Sequence, residues 1–234
     1  MTAVCYRALD LVYGSAELVL APVLARGFRW HVEGAHRIPS SGPVLLASNH
    51  VSYLDPLALA YVAHEAGRRV RYLAKAELFR VPALGWVLRG AHQIPVHRGT
   101  LDAVRALGDA EHALRAGECV AVFPEGTISL DLEPMPAKTG TARLALATGA
   151  SVLPVGVWGT HRVQTKGRAP TPRWGLPVSI VVGEALPPVD DVVRATRALD
   201  AALAGVVARA RELYPDAPAP GDDAWWHRAP GRPA

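Results

Sequence analysis

The stretch LLASNHVSYLDP, residues 45–56, sets His50 directly after the chain's only asparagine, Asn49, and five positions before Asp55. An imidazole exchanges a proton near neutral pH, and a carboxylate on its second ring nitrogen fixes the tautomer and stabilises the imidazolium that forms. An H-x-x-x-x-D spacing lets a turn fold the aspartate back onto the histidine. That supplies a base and its orienter without a protein nucleophile, so the nucleophile would be a substrate hydroxyl. Such spacings also arise by chance, with the aspartate serving only as a helix cap, and the remainder of the chain has to decide between the two.

Three further segments carry groups suited to the same site. In GAHQIPVHRGT, residues 90–100, Arg98 follows a strand pattern and precedes a helix beginning near Thr100. A guanidinium fork beside a helix N-terminus suits a phosphate. In VAVFPEGTIS, residues 120–129, an apolar strand runs into Pro124, Glu125, Gly126 and Thr127. Gly126 lets the backbone approach a ligand closely, and Glu125 can accept hydrogen bonds from hydroxyls or hold Arg98. SVLPVGVWGTHR, residues 151–162, suits the lining of an acyl-chain slot or an ordinary core, and Pro154 within it points to an edge strand or a bulge.

The elements that must position these groups alternate. Strand patterns fall at 28–33, 43–48, 70–75, 92–96, 119–123, 152–158 and 178–183, with helical patterns at about 55–66, 82–89, 100–115, 139–148 and 190–213. Continuous apolar strands separated by helices predict an α/β fold, a largely parallel seven-stranded sheet with helices on both faces. The loops that follow such strands open at the carboxyl edge of the sheet, where ligand crevices form. The expected division is an N-terminal amphipathic helix over 1–27, the α/β domain over 28–214 and a Pro-rich tail over 215–234.

Composition narrows the classes. A chain of 234 residues, half of them apolar, can bury one large core. Cys5 and Cys119 lie far apart and outside any C-x-x-C pattern, so no disulfide framework or zinc ribbon is supported and a reducing compartment fits. The net charge of +4 is scattered, without a basic run interleaved with aromatics. An anionic small molecule or a membrane surface suits it better than nucleic acid. The only lysines, Lys75, Lys138 and Lys166, stand out in a chain crowded with Ala, Arg, Gly and Pro.

The opening residues lack the form of a signal peptide, and Asp10 and Glu17 interrupt them too early for a membrane span. Leu11, Val12, Leu18, Val19 and Val23 instead form an apolar stripe flanked by Arg7, Arg26 and Arg29. That fits a helix lying in a membrane interface or one packed on its own domain. Trp225 and Trp226 in the tail suit either an interface or a cover over the domain.

In order and separation, NHVSYLD, IPVHRG, FPEGT and VLPVGVWG resemble the four blocks of the glycerolipid acyltransferase family typified by 1-acyl-sn-glycerol-3-phosphate acyltransferases, over about residues 28–185. The resemblance implies that His50 is the general base and Asp55 its charge-stabilising partner. It also implies that Arg98 holds the acceptor's phosphate and that Glu125, Gly126 and the adjoining Thr127 shape the acceptor site. Asn49, Lys75 and Lys138 join them as substrate-binding candidates, Lys138 toward phosphate or CoA. Acyl-CoA or an acyl carrier protein would be co-substrate, with no bound cofactor or metal. The acceptor would be the free hydroxyl of lysophosphatidic acid, giving phosphatidic acid, and the protein would sit peripherally or monotopically on the cytoplasmic face of the cell membrane. Ile128 stands where the family usually has arginine, which keeps another lysophospholipid or a glycolipid hydroxyl open as acceptor. A non-catalytic lipid or acyl-CoA carrier is the rival of a different class.

Overall fold

The computed structural model describes residues 22–96, 102–215 and 225–227. Residues 22–27 are helical (α1), and Leu24 within them is buried, its carbonyl accepting from Trp30 Nε1 at 2.8 Å. That short piece therefore packs on its own domain, while the rest of the expected N-terminal helix lies outside the described residues. The chain continues through β1 (Phe28–Glu33), β2 (Val44–Ser48), α2 (Asp55–Glu65), β3 (Val70–Lys75), α3 (Pro82–Gly90) and β4 (Ile94–Val96). It goes on through α4 (Asp102–Arg115), β5 (Cys119–Val122), α5 (Gly140–Thr148), β6 (Ser151–Trp158), β7 (Leu176–Val182) and α6 (Val192–Leu213).

The strands form one sheet in the order β1-β7-β6-β2-β5-β3-β4, parallel throughout except for the β6 and β7 pair. Period-2 alternation sends successive strand side chains to opposite faces. On one face Val44, Leu46, Cys119 and Ala121 meet Ala58, Leu59 and Val62 of α2. On the other, Leu45, Ala47 and Val120 meet α4, α5 and α6 through Ala110, Leu144 and Leu199. Both faces are thus covered, which is why these strands read as unbroken apolar runs. Truncating a residue as enclosed as Leu45 or Leu46 costs about 2–5 kcal/mol. Asp191 caps α6, its side chain accepting from the Arg194 amide at 2.7 Å.

Pro154 does not mark an edge strand, because β6 lies between β7 and β2. Its carbonyl accepts from Gly183 N at 2.8 Å, one residue beyond the last β6–β7 pair, Val155 with Val182. The missing N–H therefore falls where that ladder ends, so it costs one terminal bond and interrupts no run.

The sheet order decides what meets what. β2 lies between β6 and β5, and all three run in one direction. The residues that follow them, 49–55, 123–127 and 159–165, consequently gather at one place on the carboxyl edge.

Candidate active site

After β2 the chain turns through Asn49 to Leu54 before entering α2 at Asp55, with Pro56 in its first turn. Asp55 does not cap this helix. Its carboxylate turns back, Oδ2 accepting from His50 Nδ1 at 2.9 Å, Val51 N at 2.7 Å and Ser52 N at 2.8 Å. Thr160 Oγ1 donates to the other oxygen, Oδ1, at 2.6 Å. Asp55 is completely buried, and these four donors leave neither of its oxygens without a partner in a place without water. The charge holds Nδ1–H, so Nε2 is the nitrogen free to act as base. Phe123 stacks on the imidazole with ring centroids 4.0 Å apart, and 13% of the His50 side chain remains exposed.

The next loop supplies the opposite wall. Glu125 is buried, its Oε1 accepting from His50 N at 3.2 Å, while Oε2 has no hydrogen-bond partner among the described residues. Burial pushes its carboxyl up to about 7, against hydrogen bonds from the His50 and Met135 backbone and with help from the charges of Asp55 and Asp131. Near neutrality Glu125 can therefore donate as well as accept. Gly126 adopts φ 75°, and a Cβ there would stand 2.6 Å from Lys138 Nζ. That ammonium lies directly over the loop, its chain held by Lys138 N donating to Pro124 O at 3.0 Å. Thr127 is partly buried beside Gly126, and Ile128 is buried.

The other candidates fall differently. Both polar atoms of the Asn49 amide engage Val157, Nδ2 donating to its carbonyl at 3.0 Å and Oδ1 accepting from its amide at 2.8 Å. Asn49 ties the end of β2 to β6, with its amide committed to that strand. Lys75 is exposed at the end of β3, 3.8 Å from Glu77, two strands from His50. Arg98 lies outside the described residues. Sequence reasoning passed over Phe123, Ser52 and Thr160. Thr160 follows a glycine at the end of a buried strand, as Asn49-His50 follows β2, and that shared placement was the available signal.

Two neighbouring features complete the site. A groove of about 590 Å³ opens beside Pro56 and runs along α2, lined by Leu57, Tyr61, Leu24, Tyr72 and Leu88 among others. Its walls are mostly apolar, and α2 at about 1.5 Å per residue gives it a length of roughly 16 Å. On the other side Trp226 is buried with Val51, Trp158 and Tyr214, and Arg162 stacks on its ring at 3.8 Å. Of the two places open to this tryptophan, it occupies the cover over the domain.

The profile of the family described as Acyltransferase matches residues 29–158. A 1-acyl-sn-glycerol-3-phosphate acyltransferase of Chlamydomonas reinhardtii is 30% identical over 76% of this chain and 54% of its own length. One from Borreliella burgdorferi is 32% identical over 58% of this chain and 53% of its own. The chain thus spans about half the length of these curated relatives. The crystal structure of the 1-acyl-sn-glycerophosphate acyltransferase PlsC from Thermotoga maritima superposes with a TM-score of 0.68 at 29% identity, covering 88% of this chain and 79% of that one. With the profile spanning more than half of the sequence and the histidine–aspartate pair assembled inside it, this chain belongs to the acyltransferase family.

Proposed function

We propose that the site moves a fatty acyl chain from a thioester, acyl-CoA or an acyl carrier protein, to the free hydroxyl of lysophosphatidic acid, giving phosphatidic acid. The observation that carries this reading is the His50 to Asp55 bond of 2.9 Å, with both oxygens of the carboxylate held by donors and Nε2 left to act as base. His50 Nε2 takes the hydroxyl proton as the oxygen attacks the thioester carbonyl. The tetrahedral oxyanion then collapses, the carbon–sulfur bond breaks, and the imidazolium returns the proton to the departing thiolate. Lys138 over Gly126, together with Arg98, supplies positive charge for the phosphate and the oxyanion. Glu125 Oε2 is available to the acceptor's hydroxyls. The chemistry calls for no bound cofactor, the donor being a co-substrate.

A lipid surface is the partner this reading requires. Leu78, Val81, Leu84 and Trp86, between β3 and the end of α3, are 40–58% exposed beside the cations Lys75, Arg80 and Arg89. No helix among the described residues is long and apolar enough to cross a membrane. A peripheral seat on the cytoplasmic face fits both. Ile128, buried where the family usually carries an arginine, favours as second reading a different lysophospholipid or a glycolipid acceptor.

The test is product detection by mass spectrometry with purified protein, palmitoyl- or oleoyl-CoA and a panel of lysophospholipids and glycolipids, alongside His50→Ala. Acylated lysophosphatidate from the wild type alone is the expected result. Another acylated acceptor would move the substrate, and binding without turnover in either protein would leave a carrier.

A further inference from the structure

We propose that Thr160 is a positioning residue for the His50–Asp55 pair, acting through the second carboxylate oxygen of Asp55. This rests on the reading of His50 as base. A carboxylate is a rigid plane that turns about one bond, so its direction toward His50 Nδ1 is set only when both oxygens are held. Oδ2 carries three donors, whereas among the described residues Oδ1 carries only the Thr160 hydroxyl, at 2.6 Å. Asp55 has no exposed surface through which water could replace that donor. Without it, a buried charged oxygen is left unsatisfied, and only the donors on Oδ2 resist rotation of the plane away from the imidazole.

Thr160 is itself fixed. Gly159 at φ 103° turns the chain out of β6, in a space where a Cβ would stand 2.5 Å from Pro177 O. Thr160 then opens a single 3-10 turn, Thr160–Arg162, and is 2% exposed. Two more side chains sew this segment to the catalytic turn. Ser52 Oγ lies 2.6 Å from Gln164 O and 3.1 Å from Thr160 O, and Thr165 Oγ1 donates to Val51 O at 2.7 Å. From outside, Trp226 and Tyr214 brace Arg162. A β-branched side chain on so constrained a backbone has little rotamer freedom, so its hydroxyl is aimed before substrate arrives. Thr160 lies beyond the stretch matched by the family profile, which ends at residue 158.

The experiment compares Thr160→Val, which keeps shape and loses the hydroxyl, with Thr160→Ser, which keeps it, both in the full chain. Expected for Thr160→Val is a kcat about 10- to 100-fold lower, the range seen for outer hydrogen-bond partners of metal ligands, with KM within about twofold. Thr160→Ser should stay within about threefold of wild type. The downfield proton resonance of His50 Nδ1–H, which needs no turnover, should shift or broaden in Thr160→Val and return in Thr160→Ser. An unchanged kcat or resonance in Thr160→Val, or an equal loss in both variants, overturns the proposal. With His50→Ala as control, surviving turnover would remove the base reading and this proposal together. A dead His50→Ala beside an unaffected Thr160→Val would remove this proposal alone.

Discussion

At the amino edge of the sheet, Arg68 is buried with its guanidinium donating to Pro39 O, Gly42 O and Gly117 O at 2.8, 2.8 and 3.0 Å. At the carboxyl edge, Glu125 Oε2 is buried with no partner among the described residues, and His50 presents an open Nε2. The hollow at the amino edge, about 660 Å³, is larger than the apolar groove beside Pro56. Size therefore does not separate the two ends. Hydrogen-bond capacity does: around Arg68 the buried polarity is used up in holding loops together, whereas beside His50 a buried carboxyl oxygen has no partner among the described residues. The same strands end in a structural knot on one side and in a reactive surface on the other.

Substitutions can break or sharpen that contrast. The largest effect is expected from Asp55→Asn, which puts an amide where three donors converge on one oxygen. We expect kcat to fall about 10³-fold, roughly 4 kcal/mol of transition-state stabilisation, in steady-state kinetics on the identified acceptor. A loss below tenfold would make the two edges equivalent. Arg68→Met should do the reverse. It leaves three carbonyls unpaired and should lower stability in urea melts by about 2–4 kcal/mol, with kcat per folded molecule unchanged. A catalytic defect at normal stability would invert the comparison.

Glu125 gives a pH test. Its folded pKa of about 7 lies above the ordinary 4.5, so between those values the native state binds the proton that the unfolded state releases. Its contribution to stability is full below about pH 4.5 and is lost as pH rises through about 7. Glu125→Gln should flatten that part of the pH–stability curve by on the order of 2 kcal/mol. A wild-type curve that already runs flat would mean that the carboxyl is not strained. The smallest effect is expected for Gly126→Ala. Strain at positive φ costs about 1 kcal/mol, and displacing the Lys138 ammonium should raise the acceptor KM a few-fold with kcat nearly unchanged. A kcat that falls instead would put Gly126 in the chemistry rather than in binding.

What was legible in the sequence follows from range. His50 and Asp55 are one turn apart, and a turn is all they need to meet. The strand patterns were readable because both faces of the sheet are covered, and Gly126 because its turn has a local signature. Asn49 was conspicuous as the chain's only asparagine, yet its commitment to Val157 is a contact across 108 positions that no local pattern encodes. The same distance hid Thr160. The antiparallel course of β7, the cover formed by Trp226 and the pairing of Pro154 depend on which strands become neighbours, and that is settled by the whole core.

The insertion of β2 between β5 and β6 also has a consequence in time. The His50–Asp55 turn is local, but its backbone tie to Glu125 spans 75 residues and its clamp by Thr160 spans 105. Contacts of such long range carry the largest loop-closure cost and form late. The local turn can bring the histidine and aspartate near each other, but only the assembled sheet aligns them. Catalytic competence is therefore a property of the strand order β6-β2-β5 and not of the turn that carries both residues.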